Sequence, residues 1–257
     1  MGSTFLEHVA AIQNQRKDIM RDFVDLHTHT IASGHAYNTI NEMVQAAVNH
    51  KLEILGITEH APAMTGTCTQ MYFMNLRALP RQKMGITVLY GVELNILDAD
   101  GHIDLPDQIL AGMDIAVASM HMPCYKGGTA AENTRAYLNV MKHPYVNIIG
   151  HPDDSRFPVD YRALAEGAKE HQVLLEVNNS SLSPISWREG ARENYCKMLE
   201  YCKEFQVPVV VDSDAHVDLD VGNHSLAFQL LEEVDFPEEL VVNANPELVK
   251  KYINIKM

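Results

Sequence analysis

Histidines and carboxylates recur in this sequence at the points where apolar runs end. Two of these ends carry residues paired two positions apart, His27 with His29 and Asp214 with His216. Because residues i and i+2 of a strand point to the same face, each pair would direct both side chains to one place. Imidazole nitrogens and carboxylate oxygens bind zinc and similar divalent metals, so the pattern predicts a metal site. The nine candidate ligands are His27, His29, His35, His60, Glu93, His121, His151, Asp214 and His216.

The placement of the histidines supports this interpretation. A single histidine is more often an ordinary core or surface residue than a metal ligand. Here, seven of the thirteen histidines lie at the ends of runs or in the loop after the first run, and the other six lie in helical or connecting stretches. Chance does not readily give both paired motifs and a ligand-type residue at six of seven run ends.

Seven apolar, β-rich runs precede these polar residues, and they predict seven strands. Near-continuous apolar runs suit strands that are buried on both faces, as in a parallel sheet covered by helices. The segments between them show helical spacing, for example over 40–48 and 161–168, with Asn38-Thr39 and Asp160 as candidate N-caps. The predicted strands cover residues 23–30, 54–60, 87–97, 114–123, 146–153, 173–179 and 208–216.

The regular alternation of strand and helix predicts an α/β barrel. Successive strand ends are 27 to 36 residues apart, which is one strand and one helix per step. We expect one domain over residues 1–257, with a helix over 1–22, the barrel over 23–216 and C-terminal helices over 217–257. An open doubly wound sheet is the alternative, but His27-Thr-His29 stands where a GxGxxG fingerprint would follow the first strand. In a barrel the strand ends form one mouth, and the first and last strands become neighbours.

Composition limits the classes of partner. The net charge of −14 argues against a nucleic-acid-binding surface, although bound divalent cations could still attract a small anionic substrate. No apolar run is long enough to span a membrane, and the first residues lack a signal pattern, so we expect a cytoplasmic protein. The four cysteines form no CxxC pair and are expected to be free thiols. The sequence does not indicate an oligomeric state.

The motifs at the strand ends resemble those of the PHP (polymerase and histidinol phosphatase) family, and most of all its YcdX-like phosphatase subgroup. The similarity extends over nearly the whole chain. It rests on Asp25-Leu-His27-Thr-His29, His35, Thr58-Glu-His60, Gly91-Val-Glu93, Ser119-Met-His121, Gly150-His151-Pro152 and Ser213-Asp214-Ala-His216.

This resemblance implies a distorted (β/α)7 barrel, similar to a TIM barrel, with a site for three divalent metal ions. The ions are usually zinc, with manganese or iron as alternatives. By position, the first metal would be held by His27, His29, Glu93 and Asp214. The second would share Glu93 as a bridge and add His121 and His151. The third would be held by His35, His60 and His216.

The resemblance implies that the protein hydrolyses a small phosphate monoester. Hydroxide bridging two of the metals would be the nucleophile, without a covalent enzyme intermediate. We take Glu93, Asp214 and His121 as the catalytic candidates.

Substrate contacts are expected outside the metal ligands. Arg188, after the sixth predicted strand, is the first candidate to bind phosphate, because a guanidinium can do so bidentately. A solvated surface role fits Arg188 equally well. Arg156 and Asn178 are weaker candidates, and a structural hydrogen bond would also explain Asn178.

Three other functions remain open at this level. The family includes polymerase-associated domains, so a phosphodiesterase or exonuclease acting on nucleic acid is one alternative, although the acidic composition argues against it. An enzyme of the amidohydrolase type is the second alternative, because it also has a His-x-His motif on the first strand of a barrel. Such enzymes commonly use a lysine to bridge two metals, and no lysine falls at a strand end here. A non-catalytic metal-holding protein is the third, and the intact ligand set argues against it.

Overall fold

The computed structural model describes residues 20–254, and eight strands lie within this range. The helix predicted over 1–22 falls mostly outside the described residues. Residues 20–22, at its end, are not helical, so that part of the prediction was wrong. The strands are β1 (Val24–Asp25), β2 (Ile54–His60), β3 (Gln82–Lys83), β4 (Ile86–Asn95), β5 (Ala116–Ser119), β6 (Ile148–Ile149), β7 (Leu174–Asn178) and β8 (Val209–Asp212).

Seven of these strands form a nearly closed parallel barrel. Their order is β1-β2-β4-β5-β6-β7-β8, and each neighbouring pair is parallel. An isolated parallel bridge between Thr28 and Ala215 joins the chain beyond β1 to the chain beyond β8. The barrel prediction is therefore confirmed. The sequence did not indicate β3, which pairs antiparallel with the start of β4.

Helices cover the outside of the barrel. The described α-helices are α1 (Ile40–Asn49), α2 (Gln70–Asn75), α3 (Asp107–Leu110), α4 (Ala130–Val140), α5 (Tyr161–His171), α6 (Ala191–Phe205), α7 (Ser225–Glu233) and α8 (Pro246–Val249). Thr39 caps α1 in a capping box with Glu42, and the Asp160 side chain accepts from two backbone N–H groups of α5. Both predicted N-caps are thus confirmed. None of the described helices is long and apolar enough to cross a membrane.

Two apolar clusters follow from the alternation of side chains along the strands. The larger cluster lies between the strands and the surrounding helices. The smaller one includes Val24, Leu89, Val117 and Leu174, which are strand residues on the inner face. Val242 and other residues of the C-terminal segment pack against this inner cluster. The apolar interior therefore fills one part of the barrel and leaves the carboxyl ends of the strands to polar side chains.

Glycines allow the strands to approach closely on the inner face. Gly56 of β2 lies against the backbone of Leu26, and a Cβ atom at this position would overlap the Leu26 carbonyl oxygen. Gly91 of β4 lies against Ile115 in the same way. These two positions have no room for a side chain.

Candidate metal centre

Glu93 is the centre of the polar mouth. It lies near the end of β4, and its side chain is fully buried. Its Oε1 atom lies 2.9 Å from His151 Nε2, 3.1 Å from His121 Nε2 and 3.4 Å from His27 Nε2. Its Oε2 atom lies 2.6 Å from His60 Nδ1. One carboxylate thus contacts imidazoles from four different strand ends.

Asp214 lies on the opposite side of the first histidine pair. Its Oδ1 atom is 3.3 Å from His29 Nε2 and 3.7 Å from His27 Nε2. His29 Nε2 is also 3.6 Å from Glu93 Oε2. His27 and His29 therefore point between the two carboxylates, as the i, i+2 spacing predicted.

A second group of nitrogens lies at the outer edge of the mouth. His35 Nε2 lies 3.2 Å from His60 Nε2 and 3.1 Å from His216 Nε2. His35 follows a short 3-10 turn (Ile31–Ser33) that ends at Gly34, whose φ of 81° is left-handed and which lies against the backbone of Gly66. All nine candidate ligands are therefore brought together by the fold.

The donor set fits divalent metal ions. Buried polar atoms normally have a hydrogen-bond partner, because an unpaired one loses its hydration without compensation. Four buried atoms of this site make no hydrogen bond of normal geometry, although the last two lie close to each other: His27 Nε2, His29 Nε2, His60 Nδ1 and Glu93 Oε2. Potential ligand atoms lie within 4.8 Å of one another in three groups: His29, His60 and His216; His27, His29 and Asp214; His60, Glu93 and His121.

The candidate imidazoles of His27, His29 and His121 contact a partner at their other nitrogen. His27 Nδ1 lies 2.7 Å from Glu176 Oε1, and His121 Nδ1 lies 2.8 Å from Asn95 Oδ1. His29 Nδ1 lies 3.1 Å from Ser33 Oγ, which in turn donates to Glu59. Such partners fix the tautomer and the orientation of a ligating histidine.

Negative charge dominates the centre of the site. Burial alone lowers the pKa of His27, but the carboxylates of Glu176, Glu93 and Asp214 outweigh it and raise the pKa well above the ordinary value. Burial would raise the pKa of Glu93, but the surrounding histidines, His121 first, hold it well below its usual range. The site thus favours positive charge at its centre, which bound cations would supply.

Comparison of the sequence with models of known protein families shows where this chain belongs. Residues 25–184 match the family model described as "PHP domain". The chain belongs to the PHP family. The match begins at β1 and includes seven of the nine candidate ligands, while the last two, Asp214 and His216, lie beyond it.

Curated relatives extend the similarity of this PHP domain over nearly the whole chain. A probable phosphatase of Clostridium novyi is 40% identical over 237 residues, which are 92% of this chain and 96% of the relative. A probable phosphatase of Caldanaerobacter subterraneus is 44% identical over 239 residues, 92% of this chain and 93% of the relative.

The barrel also resembles a solved structure. The crystal structure of histidinol phosphate phosphatase from Lactococcus lactis, complexed with zinc, L-histidinol and phosphate, covers 84% of this chain and 95% of its own. The TM-score is 0.57 and the sequence identity is 17%, so this comparison supports the fold alone.

Two of the three predicted substrate contacts, Arg188 and Asn178, lie beside the candidate ligand Asp214. Arg188 donates to Asp214 Oδ2 at 2.9 Å and to Ser181 Oγ at 3.0 Å, and only 17% of its side chain is exposed. Asn178 is buried and donates to Asp214 Oδ2 at 3.2 Å. Arg156 pairs with Asp154 at 2.5 Å. Arg188 and Arg156 line the cavity at the mouth, and Asn178 lies beneath it as a structural partner.

Sequence reasoning missed the residues that orient the ligands. Glu176 accepts from His27 Nδ1 and also from the backbone N–H of His151, at 2.5 Å. Asn95 accepts from His121 and is itself held by Asp104 at 2.7 Å. A signal existed for Glu176, because it shares the inner face of β7 with Asn178 at i, i+2. The predicted ligands come from the last polar residue of each strand, and Glu176 lies before that position.

Proposed function

We propose that this chain is a metal-dependent phosphatase that hydrolyses a phosphate monoester at a site for three divalent metal ions. The observation that carries the proposal is the convergence of unpartnered imidazole and carboxylate atoms at the base of an open cavity. The names of the relatives, probable phosphatases at 40% identity or more over nearly the whole chain, support the same activity. The zinc and phosphate bound in the Lactococcus lactis enzyme agree with it.

The proposed ligand sets are those that the resemblance to the PHP family implies. His27, His29, Glu93 and Asp214 would hold the first ion. Glu93, His121 and His151 would hold the second, and the contacts of Glu93 Oε1 with both histidines support Glu93 as the bridging ligand. His35, His60 and His216 would hold the third, in line with the short distances among their Nε2 atoms. We propose zinc, with manganese or iron as alternatives, since His and carboxylate ligands suit each.

The protein side chains orient the reactive groups. Divalent metals, when bound, supply a water of lowered pKa and positive charge for the phosphoryl oxygens. Glu176 keeps the proton of His27 on Nδ1, which leaves Nε2 free as a ligand atom. Arg188 holds Asp214 through Oδ2, so that Oδ1 faces the histidine pair. Arg188 and Arg156 line the cavity and present guanidinium groups beside the proposed phosphate position.

The shape and charge of the molecule favour a small monoester over nucleic acid. The cavity has a volume of about 760 Å³, which suits a small substrate. Its polar groups converge at one end, whereas a nucleic-acid strand needs a basic groove. The net charge of −14 argues against a basic groove of this kind.

The decisive experiment compares substrates on protein whose metals have been counted by elemental analysis. We expect turnover of p-nitrophenyl phosphate to exceed that of bis-p-nitrophenyl phosphate and of a labelled oligonucleotide. The His121→Ala variant should lose this activity, and His143→Ala, a histidine outside the site, should keep it. Dominant diester cleavage would overturn the monoester proposal, and a folded, metal-loaded protein inactive on all three substrates would overturn the phosphatase proposal.

A further inference from the structure

A strongly exposed apolar loop forms one wall of the cavity. Trp187 is 89% exposed and Ile185 is 88% exposed, and both line the cavity over the candidate metal centre. Trp187 is the only tryptophan in the sequence. Tryptophan in a folded protein usually buries most of its large ring, so its full exposure at the mouth of a site indicates a binding partner.

The loop is anchored on both sides of this ring. The neighbouring Arg188 side chain is tied to Asp214 and Ser181 beneath the cavity. On the other side of Arg188, the carbonyl of Glu189 accepts from the backbone N–H of Ser155 at 2.9 Å. Earlier in the loop, the N–H of Ser186 donates to the carbonyl of Ser183 at 3.0 Å. Trp187 therefore sits on a fixed support although its ring faces solvent.

The cavity is larger than a phosphate group needs. Its volume of about 760 Å³ leaves room for an organic group of moderate size beyond the proposed metal position. The lining combines the histidines and other polar residues with apolar ones, among them Met122, Pro123 and Leu226. With the phosphate beside Asp214 and Arg188, the alcohol part of the substrate would lie against the wall of the same cavity that Trp187, the neighbour of Arg188, forms.

We propose that Trp187, with Ile185 beside it, is a specificity determinant that stacks on an aromatic ring in the alcohol part of the substrate. This inference rests on the proposed phosphatase function and names its substrate class: phosphate monoesters whose alcohol carries a planar aromatic or heteroaromatic ring. Stacking on an exposed tryptophan gains affinity because both ring faces lose contact with water and attract each other. Esters whose alcohol has no aromatic ring would gain no affinity from stacking on Trp187.

Kinetics on a matched pair of substrates test the inference. Adenosine 5′-monophosphate and ribose 5-phosphate share the phosphate and the sugar, and only the first carries an aromatic ring. In Trp187→Ala we expect KM for the adenosine ester to rise about tenfold, by analogy with base stacking on aromatic side chains, with kcat retained. KM for ribose 5-phosphate should stay unchanged. Trp187→Phe should keep most of the preference, and Met71→Ala, which removes an exposed side chain from a different surface, should keep all of it.

A binding measurement separates this inference from the proposed activity. Because Trp187 is the sole tryptophan, the intrinsic fluorescence of the metal-loaded protein reports on its ring directly. We expect the adenosine 5′-phosphonate analogue, with a methylene in place of the ester oxygen, to quench the fluorescence saturably, and inorganic phosphate to reverse the quenching. The ribose analogue should leave the fluorescence unchanged.

The two outcomes are distinguishable. Hydrolysis of both esters with equal KM changes in Trp187→Ala, or no quenching by the adenosine analogue, overturns the role of Trp187 and leaves the phosphatase proposal standing. If the metal-loaded protein hydrolyses neither these esters nor p-nitrophenyl phosphate, the phosphatase proposal fails, and the fluorescence titration alone then decides whether an aromatic ring binds at Trp187.

Discussion

His27 and Glu176 form a fully buried pair, with Nδ1 of the imidazole 2.7 Å from Oε1 of the carboxylate. A carboxylate only accepts, so Nδ1 carries a proton, and Nε2 faces Glu93 and Asp214. The other oxygen of Glu176 accepts from the backbone N–H of His151. Glu176 therefore orients two proposed ligands without being one.

Replacing Glu176 with glutamine should weaken metal binding by about 10- to 100-fold. The amide can accept at only one oxygen, so it cannot serve both His27 Nδ1 and the N–H of His151. The measurement is metal retention against a graded concentration of chelator, read by elemental analysis. The control is Glu170→Gln, an exposed glutamate on α5. Equal retention by the wild type and Glu176→Gln would refute the orienting role.

Removing His35 should release one metal ion from each chain. His35 is an exposed loop residue, so His35→Ala should leave the fold intact. On the proposed assignment, the metal content falls from about three ions per chain to about two, because His60 and His216 alone bind the outer ion weakly. His50→Ala, an exposed histidine outside the site, serves as the control. An unchanged ion count in His35→Ala would contradict a third ion at this position.

His224 should make the stability depend on pH. It is buried with Nδ1 2.8 Å from Asp22 Oδ2 and Nε2 3.7 Å from Asp25 Oδ2. Burial lowers its pKa, but the two aspartates outweigh burial and raise the pKa from 6.5 to about 10. Because the folded pKa is the higher one, the stabilisation is complete below pH 6.5 and is lost as the pH rises toward 10.

Urea unfolding of the wild type and His224→Gln tests this dependence. We expect the variant to lose about 3 kcal/mol of unfolding free energy at pH 6 and much less at pH 10. Both proteins are measured with metal removed, since metal binding has its own pH dependence. A difference that stays constant between the two pH values would show that His224 contributes only packing.

Gly56→Ala should destabilise the barrel by about 2 kcal/mol or more. The added methyl group would overlap the Leu26 carbonyl oxygen, so β1 and β2 would have to separate. Chemical denaturation measures the effect. Gly112→Ala is the matched control, because its Cβ would come no closer than 3.4 Å to the Ile109 carbonyl oxygen. A loss at Gly56 no larger than at Gly112 would mean that the strands adjust freely.

The strand positions could be predicted because burial on both faces demands an apolar run. The runs at 54–60 and 173–179 match β2 and β7 closely. The run at 23–30 predicts a strand that is too long, since β1 ends at Asp25. Beyond it, the backbone of Leu26 donates to the Asp212 side chain, a contact between distant parts of the chain that no local pattern reveals.

The candidate ligands could be predicted from the sequence, but the residues that orient them could not. Ligand types are few and stand at strand ends, so their spacing alone indicates them. Glu59, Ser33 and Asn95 are ordinary polar residues, and only the fold shows that they hold His29 and His121. Arg188 was expected to bind phosphate. Its hydrogen bond to Asp214 indicates that it also positions this carboxylate, which the sequence of a loop does not show.

The Thr28–Ala215 bridge has a consequence for synthesis of the protein. It brings Asp214 and His216 to His27 and His29, which precede them by more than 180 residues. A ribosome must therefore synthesise the chain through β8 before the first proposed metal site can exist. A chain that stops before Asp214 would lack that site, so metal loading there would have to follow closure of the barrel.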